Sequence, residues 1–171
     1  MKTFAIRKAF LIPLGLLLLQ CLALVVLCVV NGEPKGKIII LGVIILPIAI
    51  LFLESAFRRV LFDDRGLTVF KLLRNKEFRF SEITAVETIQ VRKRAFLTLS
   101  AGDDFLIISN AYASFPALVA TLLAKVPQGA VSEETKAMAA APPVKSTDVI
   151  SCWLGVALLA LILYIQLGGR L

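Results

Sequence analysis

The strongest constraint in this sequence is the stretch Ala9 to Val30, 22 residues without a single charge. As an α-helix rising about 1.5 Å per residue it reaches about 33 Å, enough for a bilayer hydrocarbon core of roughly 30 Å. A second run, Ile38 to Phe57, is interrupted only by Glu54, and a third, Val149 to Gly169, carries no charge. Three membrane-spanning helices are expected, because a buried soluble helix rarely needs such lengths of unrelieved Leu, Val and Ile. The 58% hydrophobic and 18% charged content of the chain agrees, since ordinary globular chains have about 45–50% and about 25%.

Lys2, Arg7 and Lys8 before the first run also fit a secretory signal, but the apolar stretch exceeds the roughly 7–15 residues of a signal core and no A-x-A site ends it. Retention as a span is expected. Gln20 stands where a lipoprotein signal needs a small residue before Cys21. Cys21, Cys28 and Cys152 all fall inside expected spans without CxxC spacing, so they read as small apolar residues and not as a metal site. The absence of histidine removes Ser–His and Cys–His pairs and the commonest metal ligand.

Asn31 to Lys37 is a short, turn-rich joint between spans one and two, which makes an antiparallel hairpin of residues 1–57 and places its helices (9–30 and 38–57) side by side. Lys2, Arg7 and Lys8 precede span one and Arg58, Arg59 and Arg65 follow span two, against Lys35 and Lys37 in the joint and Arg170 at the end. By the positive-inside bias the amino terminus and residues 58–148 are expected in the cytoplasm, with the chain in the inner (plasma) membrane.

Between residues 58 and 127 the period shortens to strands broken by turns. Arg59–Phe62, Leu67–Leu73, Glu77–Phe80, Ile83–Val91, Ala95–Ser100 and Phe105–Ser109 read as six strands. Gly66 is expected to supply a positive φ in the Asp63-Asp64-Arg65-Gly66 turn. In the fourth run Ile83, Ala85, Ile89 and Val91 share one phase, which Glu87 breaks. Phe115, Leu118, Val119, Leu122, Leu123 and Val126 then form one face of an amphipathic helix, with Ser114 as its expected cap. Residues 128–148, rich in Ala, Pro, Lys, Glu and Ser, read as a flexible linker to a third membrane helix at 149–171.

Val60-Leu61-Phe62-Asp63-Asp64-Arg65-Gly66-Leu67, Phe80-Ser81-Glu82-Ile83 leading into Ala85-Val86-Glu87, and the terminal helix together resemble the membrane-anchored bacterial pleckstrin-homology-like proteins. The resemblance implies an antiparallel half-barrel closed by a helix, and a role as an interaction platform. The expected fold class is thus a membrane protein of α + β type: three transmembrane helices with a small pleckstrin-homology-like module and its carboxy-terminal amphipathic helix inserted between helices two and three. Inositide-binding relatives carry basic residues where this chain has Asp63-Asp64-Arg65-Gly66, which argues against that ligand.

Asp63-Asp64 and Asp103-Asp104 sit in turns, where solvated carboxylates are common, and no cofactor or metal site is expected from them. Glu54 is costly near a membrane boundary unless paired, and Arg58, four residues on, is the expected intramembrane partner. Ser151 and Gly155 form a small-xxx-small spacing that lets another helix approach, including one from a second copy. Arg74, Lys76, Arg79, Arg92, Lys93 and Arg94 are the expected contacts to lipid headgroups or to a partner. Nucleic acid is not expected, because the Phe residues alternate inward and are not interleaved with cations on a surface. No phosphate loop or nucleophile elbow occurs, so the expected role is noncatalytic: an anchor or accessory protein whose module binds a membrane or cytoplasmic protein. A lipid-headgroup sensor is the alternative, and a transporter subunit, lacking clustered polar groups in mid-membrane, the third.

Overall fold

A computed structural model of the chain describes residues 1–143 and 147–168. The described residues form two compact units, one from residues 1–7 and 57–143 and one from residues 8–56 and 147–168.

The second unit holds three long apolar helices, α1 (Lys8–Val30), α2 (Lys35–Phe57) and a further helix at Thr147–Gly168, all long and apolar enough to cross a membrane. The expected ends of span three at Gly169 to Leu171 lie outside the described residues. The first helix packs most extensively against the Thr147–Gly168 helix, and not against its sequence neighbour α2 as the short joint suggested. Small residues let helices approach where lipid gives no hydrophobic drive for them to associate. Gly155 lets Leu17 approach so closely that a Cβ there would lie 2.6 Å from its Cδ1, whereas α2 touches α1 through the Phe52 ring against Gly15. The joint is closed by a Lys37–Glu33 ion pair at 2.9 Å.

The first unit contains two antiparallel sheets. The strands are β1 (Lys2–Ala5), β2 (Arg59–Phe62), β3 (Gly66–Phe70), β4 (Asn75–Arg79), β5 (Ala85–Val91), β6 (Arg94–Ala101) and β7 (Asp104–Ser109). They are ordered β1-β2-β3-β4 in one sheet and β5-β6-β7 in the other. Helix α3 (Phe115–Leu123) follows, then α4 (Glu133–Ala140); the Thr147–Gly168 helix is α5. Six strands were legible in the sequence, and β1 is the addition. It pairs with β2 across the whole membrane hairpin, Phe4 opposite Val60 and Ala5 opposite Arg59. Its other side is stitched to residues 111–113, with Ala113 N–H donating to Ala5 C=O at 2.8 Å and a bridge from Ile6 to Tyr112. The two long apolar helices α1 and α2 are therefore an insertion between two adjacent strands of one sheet.

The core follows from strand alternation. Val60, Phe62, Leu67, Val69 and Phe78 of the first sheet face Val86, Leu97, Leu99, Leu106 and Ile108 of the second, and α3 adds Leu118 and Leu122. Phe4 sits edge-on to Phe62 with ring centroids 5.6 Å apart. Gly66 does not take a positive φ. Its requirement is space: a Cβ at this first residue of β3 would collide with the carbonyl oxygen of Phe78 on β4. Ser114 does not cap α3 through its side chain either; it takes a left-handed backbone, φ 51°, and Leu118 N–H bonds to its carbonyl.

The expected linker is a second correction. Residues 128–130 form a short 3₁₀ turn, and α4 is capped by the Ser132 hydroxyl, which accepts from Thr135 N–H. Val131, Thr135 and Met138 are buried. Thr135 donates to the Val86 carbonyl at 3.1 Å and its hydroxyl lies 2.9 Å from that of Thr88, so this segment covers the outer edge of β5. An exposed strand edge carries unpaired backbone groups, and this segment satisfies one of them, the Val86 carbonyl, which also accepts from Ser132 N–H at 3.0 Å, where composition alone suggested nothing to bury. Residues 144–146 of the expected linker lie outside the described residues.

Candidate functional site

The candidate cations fall in three places. Arg74 lies in the β3–β4 turn, closed by Lys71 N–H donating to Arg74 C=O at 3.0 Å. Lys76, at the start of β4, donates to Asp104 Oδ1 at 2.6 Å and lies 5.7 Å from the Phe78 and Phe105 ring centroids. These contacts orient Lys76 inward along the module surface. Arg79 is at the other end of β4, opposite Gly66, where it stands 3.7 Å from Glu82. The structure thus separates Arg79 from Arg74 and Lys76, because a strand of five residues carries its two ends to opposite sides of the sheet.

Arg92 and Lys93 form the β5–β6 turn and Arg94 opens β6; Arg92 has a left-handed φ of 54°. The buried Asn110 side chain donates to Lys93 C=O at 2.9 Å, and its own N–H bonds to Ala95 C=O. The next residue, Ala111, accepts from Arg7 N–H. A buried amide therefore fixes this basic turn close to the point where the chain leaves for α1.

Glu54 lies in α2, but that helix ends at Phe57. Arg58 is the first residue beyond it. The Arg58 Nε donates to the Tyr112 hydroxyl at 3.2 Å, with the guanidinium 5.8 Å from that ring centroid.

The sequence reading missed the apolar part of the surface. Strand β5 buries Val86 and turns Ile89 and Val91 outward, 59% and 57% exposed, which is the reverse of the expected phase. Glu87 shares their face, and its anomalous place in the pattern was the available signal. Across the second sheet the outward rows are Ile89–Phe96–Ser109 and Glu87–Thr98–Ile107, with Phe105 beside Ser100. Phe105 is 61% exposed and Ile107 is also exposed. One face of this sheet is therefore largely apolar, with the Arg92–Arg94 turn at one end and Lys76 beside Phe105 at the other.

Two open clefts, of about 500 and 680 Å³, share Asp63, Asp64 and Lys125. Lys125 donates to Asp63 C=O at 2.8 Å and stands 3.5 Å from Asp64, while Asp63 Oδ1 accepts from Arg65 N–H. These acids close a turn. Among the described residues no group of three His, Cys, Asp or Glu side chains could hold a metal. A third groove of about 240 Å³ runs between Val69, Lys71, Arg74 and Lys76 on one side and Phe105 and Ile107 on the other.

Comparison with protein-family models, with curated proteins and with solved structures finds no match to this chain. The architecture and its surfaces define the class on their own: an α+β chain with three helices fit to cross a membrane and two small antiparallel sheets.

Proposed function

We propose that the chain is a noncatalytic membrane-anchored interaction protein whose module docks a protein partner on the outer face of β5–β6–β7. The carrying observation is the exposure, on one sheet face, of Ile89 and Val91 on β5 and of Phe105 and Ile107 on β7, with the half-buried Phe96 of β6 between the two pairs. Soluble surfaces seldom leave such a patch uncovered, and a polar rim around it is the usual anatomy of an interface. The pleckstrin-homology-like resemblance implies antiparallel strands closed by a helix, and two antiparallel sheets followed by the amphipathic α3 support that reading of the module. Lys2, Arg7, Lys8, Arg58, Arg59 and Arg65 flank the spans on the module's side, which supports a cytoplasmic module on the inner membrane.

A photoactivatable residue at Ile89 or Ile107, in the full chain in native membranes, tests this. Discrete protein adducts from both positions and none from Asp64 are expected. Absence of protein adducts at both would overturn the proposal. A lipid-headgroup role is the second reading, favoured by the exposed Arg92–Arg94 turn that Asn110 holds in place. Under that reading the 92–94 Ala variant retains less anionic lipid through purification, and its retention depends less on salt.

A further inference from the structure

One exposed pair of leucines belongs to neither surface. The β3–β4 turn reads Lys71-Leu72-Leu73-Arg74, and Leu73 at its tip is 92% exposed, with Leu72 exposed beside it. Leu73 at the apex of this tight turn buries almost nothing within the module, and Leu72 is 39% exposed. Cations follow on both sides, Lys71 before them and Arg74 after.

The sheet register says which way this tip points. Ala5, Arg59, Phe70 and Asn75 form one cross-strand row at a single end of the first sheet. Ala5 is where the chain departs for α1, which begins at Lys8, and Arg59 is where it returns from α2, which ends at Phe57. Three residues of chain reach at most about 10 Å, so this end of the sheet is the one tethered at the membrane. Phe70 and Asn75 are the last paired residues before the turn, so Lys71 to Arg74 project beyond the row in the same direction that β1 runs. Strands lie about 4.8 Å apart, which sets β3 only about 10 Å sideways from β1. The Asp63-Asp64 turn, joining β2 to β3, lies at the opposite end of the same sheet.

We infer that the β3–β4 tip is a membrane-inserting element: Leu72 and Leu73 enter the interface of the leaflet that holds the chain's own helices, and Lys71 and Arg74 meet its anionic headgroups. The occupant follows from charge and reach. An apolar apex with a cationic collar matches the layered chemistry of an anionic leaflet, acyl chain below and phosphate above. The module is then held at three points, two covalent and one inserted. The inference does not depend on the protein-docking proposal, because the tip uses different residues and requires no partner.

The test uses the purified full chain in vesicles, with Trp153→Phe removing the sole tryptophan and Leu73→Trp supplying a probe. In vesicles containing phosphatidylglycerol, emission from position 73 should be blue-shifted, quenched by lipids brominated high on the acyl chain, and protected from aqueous iodide. The Asp64→Trp probe should show the reverse. Adding Arg74→Glu to the Leu73→Trp chain should shift the inserted-to-exposed ratio roughly fivefold or more toward exposure, the factor that about 1 kcal/mol per juxtamembrane cation gives. Equal iodide access at positions 73 and 64 would overturn the inference. So would a position-73 probe shielded from both lipid bromine and iodide, which would place the tip against protein. Leu73 makes no buried contact, so failure of these variants to fold is not at issue; unchanged protease resistance of residues 58–143 checks it.

Discussion

Phe4→Ala probes the feature that most distinguishes this fold, a strand placed ahead of the first membrane helix yet built into the module beyond the second. Phe4 is 9% exposed and packs edge-on against Phe62. Truncating a buried Phe costs about 3–5 kcal/mol through lost transfer energy and the cavity left behind. The slight exposure of Phe4 sets the expectation at the low end, about 3 kcal/mol, or roughly a 150-fold rise in the open population. With urea slopes of about 1–3 kcal/mol per M, the midpoint should fall by about 1–3 M. Pulse proteolysis of the full chain in nanodiscs, scored by cleavage within residues 58–143, reads this midpoint. Thr3→Ala, on the exposed side of the same strand, should change stability by no more than about 0.5 kcal/mol. If Phe4→Ala and Thr3→Ala gave the same midpoint, β1 would be no part of the module's core, and the reasoning from register would fail.

Three further outcomes follow from named contacts. Gly66→Ala should destabilise the module by about 1–2 kcal/mol in the same assay, because its methyl meets the Phe78 carbonyl, a backbone atom that cannot swing away, while a stiffer unfolded chain offsets part of the cost. Thr135→Val keeps the shape but loses the hydroxyl bonded to Val86 C=O and beside Thr88; hydrogen exchange across residues 131–140 should speed up roughly tenfold or more, and unchanged exchange would restore the linker reading. Ile89→Lys should leave stability within about 0.5 kcal/mol, whereas Leu97→Ala should cost about 2–5 kcal/mol, and the opposite order would mean that the second sheet faces the other way.

The membrane helices were legible because their signal is local: some 20 apolar residues in a row mean the same thing wherever they occur. Six strands were legible for a similar reason, as turn residues such as Asp63-Asp64 and Gly102-Asp103 punctuate them. Strand β1 was not, although Phe4 and Ile6 are buried in alternation, with exposed Thr3 and Ala5 between and before them. Its partner lies more than fifty residues away, past two helices, and its flanking Lys2, Arg7 and Lys8 carry a topological meaning that masked the pattern. In β5 the phase was misread because Ile89 and Val91 are apolar yet outward, which a soluble core does not require and a docking face does. The segment 128–140 was misread because Ala and Glu say little about burial, while its anchoring residues, Val131, Thr135 and Met138, are three scattered side chains. Of the candidate residues, Arg74 and the 92–94 segment lie at exposed turns, whereas Lys76 and Arg58 have neighbours, Asp104 and Tyr112, that only the tertiary pairing reveals. Leu72 and Leu73 read as the tail of a strand until the register showed the strand ending at Phe70.

The most direct test of the account is sidedness at single cysteines, introduced after Cys21, Cys28 and Cys152 are replaced by Ala. A sheet cannot straddle a bilayer, so β1 and β4 must lie on one side and the α1–α2 joint on the other. With a membrane-impermeant maleimide on sealed vesicles of uniform orientation, Thr3→Cys and Glu77→Cys should label from the same side and Gly32→Cys only from the opposite one. Labelling of Thr3→Cys and Glu77→Cys from different sides would contradict the shared sheet and, with it, the module as described.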